Sequence, residues 1–561
     1  MKSQKFIGLS TFRNKYSKLK LSEKFLLHIL SLLLIGILIS LFIIWNKGMV
    51  ISSPRTGGTI NEGVIGTPRF INPMFAERDV DRDLTSLIYS GLLRRTSKGN
   101  LIPDLAKEYE VSEDGTKYTF TLKENLSFHD GRPLTADDVV FTIESIQNGY
   151  TKSIEQRNWV DVFVEKINDD TIQFILPDAY SPFVQNLTIG ILPKHVWSRT
   201  SPEDMLFDNS NLDPIGSGPF MLKSIKKSSS KDTELYSLVL FEDFSLGQPY
   251  LEKINFYFYE DQEAVFDAYE RGEIDSTIFN VDSNKSNSIT RSENIALFLN
   301  QGKAPILAKD YIREALNIAI NKDDLVSEIF NGNAEPLSGP IPRQISPIQY
   351  IDEVGGGDEG GDEEVSSILE DAGWEMNELG LYEYDGETIQ FTISTNDKET
   401  FLKTGTYIET NLRELGFDAT LEVYEENDLI QKVIRPRSFQ VLLFGTVINQ
   451  GLDMYGFWHS SQRNDPGVNI TQYTNIDVDS LVSKLRTEQD EDNRTELYTK
   501  FEAEIRKDIP AVFLYARKFN YTSPPDLIIN TPLSAVYSSE RFSMVHTWHK
   551  EIDEVWSIFK K

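Results

Sequence analysis

Six histidines and no cysteine leave this chain few ways to build a catalytic or metal centre. Without a thiol there is no thiolate metal ligand, no cysteine nucleophile, no disulfide and no lipid-modified cysteine. Only His546-Thr-Trp-His549 has ligand-like spacing, since residues i and i+3 on a helix can face one ion, and no third ligand lies near it. A packing or surface pair is the expectation there. Carboxylates are abundant, yet nothing in their order picks two that would flank a scissile bond. The G-x-S-x-G elbow, the H-E-x-x-H zinc motif, the phosphate loop and the dinucleotide fingerprint are all missing. A protein that binds, with no enzyme activity, no cofactor and no metal, is the reading.

The elements around such a site follow from periodicity. Tyr118, Phe120 and Leu122 alternate with Thr119 and Thr121, the period of a half-buried strand, and Asp130-Gly131-Arg132-Pro133 then turns the chain. Thr135 with Asp138 forms a capping box for a helix whose apolar face is Val139, Ile143 and Ile146. Gly272 suits a helix C-terminus. From Asp310, Ile312, Ala315, Leu316, Ala319 and Ile320 follow helical spacing, and Asn321 can cap a second helix running towards Gly332. Residues 388–394, 419–423 and 440–444 read as strands and 400–415 as a helix ended by Gly416, the alternation of an α/β domain. Ligands of such folds collect at the carboxyl ends of strands, which points to the residues after Phe444. The run 355–364 is acidic and glycine-rich and reads as a surface loop; it lacks the ordered spacing of a calcium site.

A chain of 561 residues, 40% hydrophobic and 25% charged, implies two or three domains. The formal charge of −30, from 56 basic and 86 acidic residues, argues against nucleic acid as a partner.

The stretch from Tyr118 to Glu144, YTFTLKENLSFHDGRPLTADDVVFTIE, closely resembles the signature of the family 5 extracellular solute-binding proteins, the oligopeptide, dipeptide and nickel receptors of ABC importers. Similar text recurs at Pro214-Ile-Gly-Ser-Gly-Pro-Phe220, where an ordinary tight loop fits equally well, at Phe266-Asp-Ala-Tyr-Glu-Arg-Gly-Glu-Ile-Asp275, at Pro336-Leu-Ser-Gly-Pro-Ile-Pro342 and at Ile368-Leu-Glu-Asp-Ala-Gly-Trp374. The resemblance implies an α/β, two-lobed periplasmic-binding-protein-like fold of type II with an extra inserted domain. It places lobe I at 59–300 with the insertion at about 92–213, lobe II at 301–530, and a segment 531–561 returning to lobe I. The implied function is oligopeptide binding between the lobes and delivery to an ABC permease and its ATPase, by a receptor acting as a monomer. An anchored peptide-binding sensor or chaperone without a transporter is the alternative. In peptide-binding members an aspartate in the loop after a core strand pairs with the peptide's α-ammonium; Asn449 stands at that position here, and an amide cannot neutralise that charge. Asp453 could supply the charge. Phe457, Trp458, Asn469 and Tyr473 complete the expected ligand-binding set.

Residues 25–45 are apolar apart from His28, Ser31 and Ser40, long enough as a helix to cross a bilayer. Lys2, Lys5, Arg13, Lys15, Lys18, Lys20 and Lys24 precede it against Glu23 alone, which puts residues 1–24 in the cytoplasm and the main domain outside. The apolar run exceeds a usual signal-peptide core, and residues 46–50 show no small-x-small cleavage site. An uncleaved single-pass anchor in the cell membrane is expected, followed by a polar tether over 46–58.

Overall fold

A computed structural model describes residues 16–227, 233–282, 285–348, 361–449 and 451–556. These fall into two units, one drawn from residues 16–56 and 549–556 and the other lying within Gly57–Trp548.

In the smaller unit the helix Leu21–Met49 contains the apolar stretch Leu21–Ile43, in which an 18-residue segment reaches a mean hydropathy of 2.8 and is not buried in protein. At 1.5 Å per residue this stretch spans about 34 Å, enough for a hydrocarbon core. Polar Ser31 is accommodated by donating to the Leu27 carbonyl one turn earlier (2.8 Å). The tether expected at 46–58 is not a loop. The helix continues to Met49, and Val50–Arg55 forms a strand paired antiparallel with Glu551–Trp556. Residues 50–53 read Val-Ile-Ser-Ser, a β-branched start that favours a strand once a partner strand is offered. The partner lies within the same smaller unit, contributed by residues 551–556.

Among the described residues the larger unit is organised by one sheet of thirteen strands. From one edge the order is Asp418–Tyr424, Gln390–Asn396, Val441–Val447, Glu293–Leu299 and Ala511–Thr522. It continues through Ser276–Thr277, Thr59–Ile65, Lys253–Tyr259, Thr233–Leu240 and Phe220–Lys227. Ala511–Thr522 is shared by both wings: its first half pairs with Glu293–Leu299, its second half with Ser286–Arg291, and Thr522 reaches Thr277.

The wing beyond Glu293–Leu299 is covered on both faces, and the strand period of two decides which side chain meets which cover. Leu443, Val512 and Leu514 pack with Ile312, Leu316, Ile408 and Leu412 of the helices Asp310–Ala319 and Glu399–Glu414. Their neighbours Leu442, Ala511 and Phe513 turn to the opposite face, against Phe501 and Ile505 of the helix Glu491–Asp508. Asn321 caps the helix Lys322–Phe330 by accepting from the Asp323 and Asp324 amides (3.1 Å each). The glycine-rich acidic run departs from expectation where it is described: residues 361–364 open the helix Gly361–Asp371, whose acidic first turn suits the positive end of a helix. Residues 355–360 lie outside the described residues.

On the other wing, Ile60, Leu84, Leu87, Ile254 and Phe256 share one apolar cluster with a separate four-stranded antiparallel sheet, Ala106–Val111, Lys117–Leu122, Thr171–Ile175 and Phe163–Lys166. Tyr118, Phe120 and Leu122 are buried as their alternation requires. Asp138 closes the capping box by accepting from the Thr135 amide (2.9 Å), and its second oxygen accepts from the Lys194 amide (2.9 Å).

The signature histidine has a structural task. His129 Nδ1 accepts from the Gly216 amide (3.3 Å) and Nε2 bonds the Gly218 carbonyl (3.0 Å), so the Ser-Phe-His-Asp-Gly turn holds the Gly-Ser-Gly turn. Both glycines are required by close approach. A Cβ on Gly216 would lie 2.0 Å from the Ile88 carbonyl oxygen and one on Gly218 2.5 Å from that of Leu87, at the end of the helix Asp79–Ile88. Burial lowers the His129 pKa to about 4, and the ring is neutral at physiological pH, as an accepting Nδ1 demands.

A buried ionic knot ties the ends of this unit together. Arg541 grips both Asp83 oxygens (2.8 and 2.7 Å) and donates to Glu62 (2.8 Å), while the other Glu62 oxygen accepts from Tyr521 (3.0 Å) and Ser276 (2.5 Å). Arg541, Glu62 and Asp83 are all but excluded from solvent. Burial, only partly offset by Arg541, pushes Asp83 up to about 6.

Arg541→Met should cost about 3–5 kcal/mol, because it leaves two carboxylates uncompensated in the core; a urea midpoint shift worth under about 1 kcal/mol would contradict the assignment. The His129 contact predicts acid sensitivity. Its folded pKa of about 4 lies below the ordinary 6.5, so its contribution is complete above pH 6.5 and is lost as pH falls towards 4. Over that gap the loss is on the order of 3 kcal/mol. Asp83, raised, titrates in part of the same window with the opposite sign. The test is therefore the difference between wild type and His129→Gln, whose amide can keep both hydrogen bonds without titrating. The wild type should lose more melting temperature between pH 7 and 4.5, and parallel curves would refute the role.

Candidate ligand-binding site

A cavity of about 1090 Å³ opens between the two wings. One wall is the helix Asp79–Ile88, through Arg82, Thr85 and Ser86, together with parts of residues 176–190 and 536–543. The opposite wall is Val447, Asn449, Gly451 and Arg486. The strand Val441–Val447 ends there, so the site does lie beyond the carboxyl end of a sheet strand. Its volume lies just above the range usual for small-ligand pockets.

The loop after Val447 is pinned from below. The Ile448 amide donates to the Ser292 carbonyl (2.8 Å), and Tyr498 donates to the Leu452 carbonyl (2.9 Å). Leu452 is held at a positive φ of 51°. Gly451 sits close to the facing wall, where a Cβ would come within 3.1 Å of Pro182 and 3.2 Å of Gln185.

The two walls also touch through polar groups. Arg486, in the last turn of the helix Ile476–Thr487, makes a forked bond to Asp453, Nε at 3.0 and 3.1 Å and Nη2 at 2.6 Å. Tyr180 donates to the same carboxylate from across the cleft (3.1 Å). The guanidinium lies 4.0 Å from the Tyr455 ring centroid and 5.5 Å from that of Tyr180, a cation between two aromatic faces. Burial works against the Arg486 charge, yet Asp453 outweighs it and raises its pKa; burial and Asp453 also raise that of Tyr180. Nearby, Ser181 donates to the Leu485 carbonyl (3.2 Å).

The six residues expected from sequence separate. Asn449 faces the cavity, its Oδ1 also accepting from the Asp453 amide (3.4 Å). Asp453 stands behind that wall with its charge already taken by Arg486, so it is not the free carboxylate expected. Trp458, 3% exposed, packs on Tyr473, Phe501 and Phe513 in the core instead of the cleft. Phe457 is half-buried and shares with Trp458 a void of about 10 Å³, room for one water at most. Asn469 is fully buried and spends its amide on the loop, donating to the His459 and Tyr473 carbonyls (3.2 and 3.0 Å) and accepting from Thr471 and the Tyr473 amide. Tyr473 donates to Asp508 beside a different recess, with Arg313. The physical reason is common to the four: a loop laid over a core strand buries its aromatics into that core and satisfies its own backbone.

Sequence reading missed Tyr180 and Arg486. Neither neighbours Asp453 in the chain, and an arginine in a last helical turn carries its own local explanation as a charge favourable to the helix end. His546 lies elsewhere, packed on Phe244, and burial lowers it to about 4.

Several known structures share this architecture. The peptide-bound oligopeptide-binding protein AppA of Bacillus subtilis aligns with a TM-score of 0.62 at 24% identity, covering 89% of this chain and 99% of that one. The unliganded open form of the periplasmic murein tripeptide binding protein MppA aligns at 0.75 and 17% identity, covering 90% and 99%. The fold is that of the periplasmic binding proteins. In sequence the chain is 27% identical to B. subtilis AppA over 499 residues, 84% of this chain and 89% of the relative. It is 24% identical to the dipeptide-binding protein of Escherichia coli (strain K12) over 490 residues, 80% and 87%. Residues 100–467 match the middle region of the bacterial extracellular solute-binding proteins, family 5, and the chain belongs to that family.

Denaturation separates structural from cavity-facing residues. Asn469→Ala should lower stability by about 1–3 kcal/mol by orphaning buried backbone groups, whereas Asn449→Ala should stay within about 0.5 kcal/mol. The reverse ranking would show that the loop is held some other way.

Proposed function

We propose that this chain is a membrane-anchored substrate-binding protein that takes oligopeptides into the cavity between its wings and delivers them to the permease of an ABC importer. The observation that carries the reading is the cavity itself, large, walled by both wings, and bordered by the loop after Val441–Val447. Support comes from the sequence relationship to a protein named as an oligopeptide-binding protein and from the shared fold of a relative in complex with a nonapeptide.

In this reading the wings are lobes, with the four-stranded sheet and its helix as the inserted domain at about 92–213. Ala511–Thr522 runs through both and serves as part of the hinge. Ligand touching both walls favours the closed form by its differential affinity, and the closed form docks on the permease. Asn449 contributes a neutral hydrogen-bonding group from the second lobe. The helix Leu21–Met49 acts as an uncleaved anchor with residues 1–24 cytoplasmic and the binding unit extracytoplasmic, which keeps a monomeric receptor at high effective concentration beside its permease.

Native mass spectrometry of the full chain released from detergent micelles tests the cargo. Co-purifying short peptides of mixed sequence are expected, and Asn449→Ala should weaken their retention several-fold. One defined non-peptide mass would overturn the cargo while leaving the fold standing.

A further inference from the structure

Two of the arginines lining the cavity are matched by carboxylates, Arg486 by Asp453 and Arg94 by Asp104, each at 2.6 Å. Arg82 and Arg95 line it too, and among the described residues no carboxylate comes within ion-pair distance of either. Arg82 rests on the Tyr537 ring, 3.9 Å from its centroid. Arg95 donates to the Gly99 carbonyl (2.8 Å) and to the side-chain oxygen of Gln185. Those acceptors are neutral, so they satisfy hydrogen bonds and leave the charge uncompensated. One turn connects the two arginines: the amide of Tyr537, beneath Arg82, donates to Glu540 (3.0 Å), whose charge acts on Arg95 from beyond ion-pair distance. The nearby acids are engaged elsewhere. Glu540 accepts from the Val536 and Tyr537 amides (2.9 and 3.0 Å), and Glu155, which feels the Arg82 charge, accepts from Asn158 (2.8 Å). Burial raises both of these carboxyls. It also works against the Arg95 charge, so an anion that replaces the lost water gains more there than it would at the surface. The other charged side chains of the wall, Glu77, Arg157 and Asp178, are exposed and act weakly through water. In a chain of 86 acidic and 56 basic residues, two cavity arginines without a carboxylate run against what composition supplies.

We infer that Arg82 and Arg95 form an anion subsite on this wall and make the cavity selective for ligands that bring a carboxylate to it. The carboxylate can come from an aspartate or glutamate side chain or from a peptide's C-terminus; either offers a guanidinium the two oxygens that its planar fork is shaped to hold. Charge-assisted bonds of this kind raise affinity by about ten-fold or more. Arg82 and Arg95 are thus specificity-determining residues. The inference rests on the oligopeptide reading above and deepens it by naming the class of peptide preferred.

The test is a competition measurement on the wild-type full chain in micelles with nonapeptide pools acetylated at one end and amidated at the other. The pools are identical except that the same positions carry glutamate, glutamine or lysine, and a fourth is the glutamine pool with its C-terminal carboxylate left unblocked. The glutamate pool, the unblocked pool or both should bind about ten-fold or more tighter than the blocked glutamine pool, with the lysine pool weakest. An advantage of the glutamate pool assigns the carboxylate to a side chain, and an advantage of the unblocked pool assigns it to the terminus. Both pools within about three-fold of blocked glutamine would overturn the inference while leaving the peptide reading intact. Binding of none of the pools would overturn both. Arg82→Gln and Arg95→Gln, singly and together, should bring the preferred pool towards the level of blocked glutamine and leave blocked glutamine itself within about two-fold of wild type. A folded double variant that keeps the full preference would refute the assignment to these residues. Should the double variant not fold, the single variants are read the same way, and the wild-type panel decides whether the cavity prefers a carboxylate.

Discussion

Arg541 is the residue on which the larger unit depends. Glu62 lies in the first strand of that unit, Asp83 in the first cavity-lining helix, Tyr521 in the strand shared by both wings, and Arg541 near the unit's end. One guanidinium thus fixes three elements that have no covalent reason to meet. Ion pairs in such a place do not make a protein stable by themselves, since an apolar substitute of equal volume could do as well. What they add is position: a forked cation accepts its two carboxylates in few arrangements, and the helix bearing Arg82 is aligned to the sheet accordingly.

From that fixed frame the cavity follows. Helix Asp79–Ile88 supplies one wall and ends against Gly216 and Gly218, which His129 holds in place. The second wall hangs from Val441–Val447, whose side chains are shared between two apolar layers. Between the walls the direct polar bridge is light, chiefly Tyr180 to Asp453 and Ser181 to Leu485. One bond to a carboxylate, worth about 1.5–3 kcal/mol, and one neutral bond of about 1 kcal/mol are together small enough for a ligand to outweigh. A two-walled receptor needs that balance.

Much of the frame was legible in the sequence, for reasons of periodicity. The alternation at Tyr118 to Leu122, the capping pair Thr135 and Asp138, and the helix through Ile312 and Leu316 are each decided within a dozen residues, where local sterics and burial dominate. The site was not legible in the same way. Asp453, Tyr180 and Arg486 come from three separate elements, and no local pattern announces that a carboxylate will be claimed by a distant arginine. Trp458 and Tyr473 misled for the opposite reason: an aromatic looks the same in sequence whether it lines a cleft or fills a core. The strand Val50–Arg55 was hidden because its partner sits at the far end of the chain.

His129 carries a consequence for how such chains are recognised. The segment that identifies the family most sharply is made of groups that hold turns and cap helices: an imidazole between two glycine turns, a carboxylate on two amides, an apolar stripe inside a small sheet. None of these side chains lines the cavity. The residues that build the scaffold and the residues that line the cavity are therefore written in different parts of the text.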